Sequence, residues 1–165
     1  MTSQFDMAID LTVEAGDWPR AGALEALVAR AVGKAAECEN LRWREGAELS
    51  LLFTDDARMA EINGQWRGKP KATNVLSFPG EDRRPGDIAS PMIGDLVFAL
   101  ETVCREAEEQ AKSFEDHLTH LAVHGFLHLF GYDHESLEEA QLMEAAETRI
   151  LEALGIGDPY AYLDA

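Results

Sequence analysis

The sequence predicts an α+β protein with one small mixed β-sheet packed with helices. Two observations lead there. Short stretches of alternating apolar residues, the pattern of half-buried strands, lie almost entirely in the first hundred residues. Everything after about Glu101 has helical periodicity, with capping signatures ahead of it. No repeat, linker or low-complexity segment interrupts residues 1–165, which read as a single domain. A chain of 165 residues can bury a core without disulfides or metal staples.

Each element has a local reason. Phe5 to Val13 alternates Phe, Met, Ile, Leu and Val with small or polar neighbours, as a strand does. Asp17 is placed to cap a helix with Pro19 near its first turn and Leu24, Leu27, Val28 and Val32 on one side. Glu48 to Phe53 reads as a second strand, and Thr54-Asp55-Asp56 opens a helix running to about Asn63. Trp66 to Thr73 reads as a loop, and Asn74 to Phe78 as a short strand stopped by Pro79-Gly80. Glu81 to Pro91, rich in Gly, Pro and charge, predicts a surface loop or hairpin connection, and Ile93 to Leu100 the last strand. Glu101 to Lys112 opens the helical half. Ser113, with Asp116 three residues on, can cap a helix ending near Gly131. Ser136 with Glu139 repeats the signature before an amphipathic helix from Leu137 to Leu154 that Gly155 closes, and Pro159 to Ala165 is a tail.

Composition is ordinary, with 46% hydrophobic and 27% charged residues, but the net charge of −17 is not. That charge excludes indiscriminate binding to nucleic acid or acidic membranes. It is unevenly spread. Glu101 to Ala165 carries fifteen acidic and three basic side chains, whereas Asp55 to Asp87 carries six of each. The two cysteines, Cys38 and Cys104, form no C-x-x-C motif and are expected as small buried hydrophobes in helices. The first residues lack a basic stretch followed by an apolar run, and no apolar stretch is long enough to span a bilayer, which points to the cytoplasm.

All five histidines fall between 117 and 134. His124 and His128 are four apart, so on a helix they project from one face, one turn above the other. Gly131 can end that helix in a left-handed conformation and return the chain to deliver His134. Three imidazoles with an open fourth position describe a catalytic zinc site rather than a closed structural one. A lone histidine on an apolar face is commonly just a core residue; three at H-x3-H-x2-G-x2-H are harder to read that way. The spacing matches the long zinc-protease pattern H-E-x-x-H-x-x-G-x-x-H, except that Gly125 stands where the general-base glutamate should be. Glycine cannot take a proton, so the peptidase mechanism lacks its base. His117 and His120 share a helical stripe about 80° wide with His124 and His128. They are candidates to orient the ligating imidazoles or line a cleft, or are purely structural; Asp133 beside the third ligand is another candidate, though a residue so placed is more often a solvated turn residue.

A second stretch combines Trp66 with Arg67, Lys69 and Lys71, three bases within five residues. In so acidic a chain this is the place to expect a phosphate contact, and the planar fork of arginine suits phosphate. Such a run alone is more often a solvated loop.

Together, N-x-x-x-R at Asn63 to Arg67, T-N-V-L-S-F-P at Thr73 to Pro79, I-G-D-L at Ile93 to Leu96, and H-G-x-L-H-L-x-G-Y-D-H at His124 to His134 resemble the YbeY family of bacterial endoribonucleases and ribosomal RNA maturation factors. The resemblance spans about Val13 to Leu154. It implies a zincin-like fold with a metal site at the end of a central helix, where His124, His128 and His134 hold one Zn2+ per chain. The family arginine important for activity matches Arg67, and Lys69 and Lys71 become candidate RNA contacts. Asn74 stands where the family motif has Asp, a known alternative. The implied activity is metal-dependent cleavage of single-stranded RNA in 16S rRNA 3′-end maturation and ribosome quality control. The implied partners are the 16S rRNA precursor, the small ribosomal subunit and its assembly factors, with no membrane. So acidic a chain needs a focused basic cleft for RNA, or help from a partner on the ribosome.

In this scheme the ion polarises a phosphoryl oxygen, Arg67 offsets the charge that builds on the phosphate, and Gly125 leaves room beside the metal for a bulky group. The general base is open between an activated water and the 2′-hydroxyl of the RNA. Two other readings share the ligand set: a hydrolase of peptides or small amides, and a non-catalytic ribosome-assembly factor with a structural metal.

Overall fold

The computed structural model describes residues 7–160; Phe5, where the first strand was expected to begin, and residues 161–165 of the tail lie outside them. Its strands are β1 (Met7–Val13), β2 (Arg42–Trp43), β3 (Ala47–Thr54), β4 (Val75–Pro79), β5 (Ile88–Ala89) and β6 (Met92–Ala99). Its helices are α1 (Ala21–Glu39), α2 (Asp56–Arg67), α3 (Leu100–Glu109), α4 (Phe114–Leu129) and α5 (Leu137–Ala153). The fold is mixed α and β, with a small mixed sheet as expected. Its strand order is β1-β3-β6-β4, with β1 and β6 parallel to β3 and β4 antiparallel on the β6 edge. Among the described residues, no helix is long and apolar enough to cross a membrane.

Alternation along β3 builds the core. Ala47, Leu49, Leu51 and Phe53 are buried and meet Leu24, Val28, Leu118, Phe126, Ile150 and their neighbours from α1, α4 and α5. Phe53 lies opposite Phe98 in register, with the rings stacked at 4.9 Å. The other sheet face is covered more thinly, where Met59 and Ile62 of α2 pack on Leu76, Val97 and Ala99. The most enclosed helix is α4, eleven of whose residues are buried. The sheet, α1, α3 and α5 surround it. Burial on that scale fixes its rotation, and hence the direction of its histidines.

Several expectations need correcting. Asp17 caps nothing: α1 starts at Ala21 behind Arg20, which offers no side-chain cap. Trp18 precedes a proline and so favours extended backbone. Its ring packs edge-on against Phe53 at 4.9 Å while Nε1–H donates to the Thr54 carbonyl at 3.0 Å. The second helix, capped by Asp55, runs through Arg67 rather than stopping near Asn63, so Trp66 and Arg67 are helical. The Glu81–Pro91 stretch is the hairpin connection between the antiparallel β4 and β6, as the sequence allowed, but it is more than a loop. It contains β5, which pairs with β2 in a separate two-stranded sheet. The Arg83 side chain, 1% exposed, donates to the carbonyls of Leu129, Met92 and Ile93. Carbonyls at a helix C-terminus lack intrahelical donors, and a guanidinium with five N–H groups can serve several at once. Cys38 and Cys104 are exposed, not buried. They fall off the buried stripes of α1 and α3, which run through Ala35 and Ala36 and through Val103 and Ala107.

Candidate metal centre

The histidine helix begins as the sequence suggests. The Ser113 hydroxyl accepts from the Asp116 N–H at 3.1 Å, and Glu115 and Asp116 sit in the first turn, where a helix dipole favours negative charge. At the other end, Gly131 adopts φ +94°. A Cβ there would lie 2.4 Å from the Arg83 carbonyl oxygen, so the loop pinned by Arg83 leaves space for glycine alone. The chain turns back, and the Asp133 carboxylate accepts from the His134 N–H at 2.7 Å. Asp133 thus holds the backbone that presents His134 rather than bonding an imidazole.

His124, His128 and His134 come together. One ring nitrogen from each lies within 4.8 Å of the others, and the Nε2 atoms of His124 and His128 are 3.2 Å apart. The His124 Nδ1–H donates to Glu147 at 2.7 Å, which fixes the tautomer and leaves a bare Nε2 lone pair facing His128. Burial, then the neighbouring charges of His124 and His134, depress the His128 pKa to about 4, so its ring is neutral at pH 7. Three converging ring nitrogens, one of them on an imidazole oriented by a carboxylate, fit a metal ion.

His117 and His120 point to two different carboxylates. His120 Nε2 is 3.1 Å from Glu147 Oε1, on the same oxygen as His124. His117 Nε2 lies 2.9 Å from Glu106 Oε1, which also accepts from the Asn74 side-chain amide at 2.9 Å. Burial would raise the Glu106 pKa, but the bonds from His117 and Asn74 outweigh it and hold it low. Asn74 borders the cleft, so His117 braces its wall rather than the ligand group.

Gly125 corrects a second expectation. The space beside it is not open toward the histidines. A Cβ there would meet Leu96 Cδ2 at 2.8 Å and Ser77 Oγ at 3.3 Å. Glycine is needed because α4 passes close under β4 and β6, with Ser77 Oγ–H donating to the Gly125 carbonyl at 3.3 Å.

The three imidazoles open into a cleft of about 500 Å3, bordered by the β4 edge at Val75, Ser77 and Pro79 and by Arg67. Arg67 is the last residue of α2, and its place depends on Asn63. That buried amide donates to the Lys71 carbonyl at 2.9 Å, while the Lys69 N–H returns to the Asn63 carbonyl at 3.2 Å. The guanidinium of Arg67 has no intramolecular partner among the described residues, nor have the ammonium groups of Lys69 and Lys71. Both lysines line an adjoining hollow of about 470 Å3, bordered also by Arg67 and Arg105. The loop therefore extends the cleft with cations but does not bring Lys69 or Lys71 to the three histidines.

The family model for Endoribonuclease YbeY matches residues 16–155. The chain belongs to the YbeY family. A Rhizobium etli protein named Endoribonuclease YbeY is 52% identical over 162 residues, covering 94% of both chains. An Agrobacterium fabrum protein of the same name is 54% identical, covering 93% of this chain and 94% of its own. The fold also resembles the solution structure of TM1509 from Thermotoga maritima, with a TM-score of 0.55, 23% identity, and coverage of 90% of this chain and 91% of that one.

Sequence reasoning missed Glu147, Glu106 and Arg83. Glu147 left a signal. It sits inside the apolar stripe Met143, Ala146, Ile150 and Leu151 of α5, where a carboxylate is costly to bury without partners. Glu106 and Arg83 left none, because both lie in charged stretches that resemble solvated surface.

Proposed function

We propose that this chain is a metal-dependent endoribonuclease that cuts single-stranded RNA in the histidine cleft, in the maturation of the 16S rRNA 3′ end and in ribosome quality control. The observation that carries this reading is that Arg67, whose guanidinium has no partner among the described residues, lines the same cleft as three converging imidazoles. The relatives' shared name, Endoribonuclease YbeY, supports RNA as the substrate. Two histidines one turn apart on the most enclosed helix, beneath an antiparallel edge strand, support a zincin-like reading of the fold. Residues 1–165 act as one domain. The protein works in the cytoplasm with the small ribosomal subunit and its assembly factors.

His124, His128 and His134 would hold one ion, for which Zn2+ suits three imidazole nitrogens, and that ion would supply Lewis-acid polarisation of a phosphoryl oxygen. Arg67 grips the scissile phosphate with a bidentate fork and offsets charge that accumulates as the phosphorus becomes five-coordinate. Ser77, on the edge strand, lines the floor beside the imidazoles. Lys69 and Lys71 take phosphates further along the strand, outside the reacting group.

The test is cleavage of a labelled RNA carrying an unprocessed 16S 3′ end, with metal content measured on the same preparations. Arg67→Ala is expected to lower cleavage by at least about 100-fold with metal content unchanged, as loss of one charge-stabilising donor does. His128→Ala is expected to lose both. Equal cleavage by all three proteins would overturn the reading.

A further inference from the structure

We propose that Glu147 is the positioning residue of the metal centre: its buried carboxylate holds His124 in the ligating tautomer and couples that imidazole, through His120 and the Tyr160 hydroxyl, to the C-terminal segment. This rests on the reading that the three histidines hold a metal.

The carboxylate is fully buried, in the apolar stripe of α5. Its Oε1 accepts from His124 Nδ1–H at 2.7 Å and from His120 Nε2–H at 3.1 Å, and its Oε2 accepts from the Tyr160 hydroxyl at 2.5 Å. An ionised carboxylate only accepts, so both imidazoles must donate, and each tautomer is thereby set. For His124 the remaining nitrogen is Nε2, the atom 3.2 Å from His128 Nε2. With the other tautomer, His124 would lose its bond to Glu147 and offer the centre a proton instead of a lone pair.

An apolar residue at 147 would continue the stripe of Met143, Ala146, Ile150 and Leu151 without the desolvation cost of a carboxylate. Three donors arranged around one carboxylate point to a demand other than packing. Tyr160 completes the set from outside the helices. The Lys112 ammonium holds its segment by donating to the Pro159 carbonyl at 3.0 Å, and the Tyr160 ring stands edge-on to His120 at 5.6 Å. Pro159 and Tyr160 thus lie against the His120 side of the stripe.

The test uses the full chain, stripped of metal and titrated with Zn2+ against a chromophoric chelator, with near-UV circular dichroism as the check on folding. Glu147→Gln keeps the shape and removes the charge. It is expected to weaken Zn2+ binding about 10- to 100-fold, the range for losing a group that orients a ligand. Tyr160→Phe leaves both imidazole bonds and is expected to weaken binding only a few-fold. A folded Glu147→Gln protein that binds Zn2+ as tightly as wild type would overturn the proposal. Should that variant not fold, 15N-histidine spectra of the metal-free wild-type protein decide, with His124→Ala identifying the resonance. The Nδ1-protonated tautomer of His124 is expected, and the Nε2-protonated form would overturn the proposal. Failure of the underlying reading looks different: wild type itself would take up no Zn2+, or His124→Ala would bind it equally well.

Discussion

At the scale of single residues, what could be read in the sequence and what could not divide by how local the cause is. The convergence of His124, His128 and His134 was legible because spacing on a helix and a glycine turn are local facts, and they bring the three rings together. Gly131 carries a direct test. Its φ of +94° and the Arg83 backbone 2.4 Å from a notional Cβ make Gly131→Ala both strained and overlapped. A loss of at least about 2 kcal/mol is expected in urea unfolding, and wild-type stability would contradict the tight turn. Glu147 was harder to see, because one glutamate among the five of α5 looks solvated unless its place in the apolar stripe of Met143, Ala146, Ile150 and Leu151 is weighed. Tyr132 gives a pH test. Burial, then the charge of Glu39 and a bond to it, raise its pKa from 10.0 to about 12. The unfolded phenol loses its proton first as pH rises, so the contribution of Tyr132 is complete below pH 10 and is lost toward pH 12. Tyr132→Phe is therefore expected to flatten the alkaline fall in urea midpoint, by about 2 kcal/mol at its full extent. Parallel pH profiles would contradict it.

At the scale of elements, the two helices announced by a serine cap were the easiest to place. Ser113 and Ser136 both accept from the N–H three residues on, at 3.1 Å. Replacing either with alanine is expected to cost about 1 kcal/mol, seen as a fall of a few degrees in thermal midpoint. An unchanged midpoint in both would mean that packing alone holds these helix ends. Elements whose boundaries depend on distant partners were not legible. The β2–β5 ribbon joins residues 42–43 to 88–89, which no local pattern connects. The last turn of α2 depends on Asn63, whose amide reaches forward to the Lys71 carbonyl. Gly64 sits in that turn because Pro70 packs on it, 3.1 Å from a notional Cβ. Glycine and proline there resembled a loop because the cue was tertiary.

For the whole molecule, the puzzle set by a net charge of −17 is how RNA could bind at all. A local arrangement answers it: Arg67, Lys69, Lys71 and Arg105 border two adjoining hollows that meet at Thr73 to Val75. If Arg67, Lys69 and Lys71 each take one phosphate, the logarithm of affinity should fall with the logarithm of salt at a slope of about −2. Lys71→Gln should reduce that slope by about 0.7, whereas a substitution of the exposed Arg20 at the start of α1 should leave it alone. A slope indifferent to Lys71 would remove that lysine from the RNA path.

The claim on which everything else depends is that three histidines and one ion cut RNA. The most direct measurement strips the protein with chelator, adds Zn2+ back stepwise, and follows cleavage of a single-stranded RNA. Activity should vanish on stripping and return in full at one ion per chain, with no recovery in His128→Ala. Full activity in the stripped protein, or rescue of His128→Ala by the same ion, would contradict it.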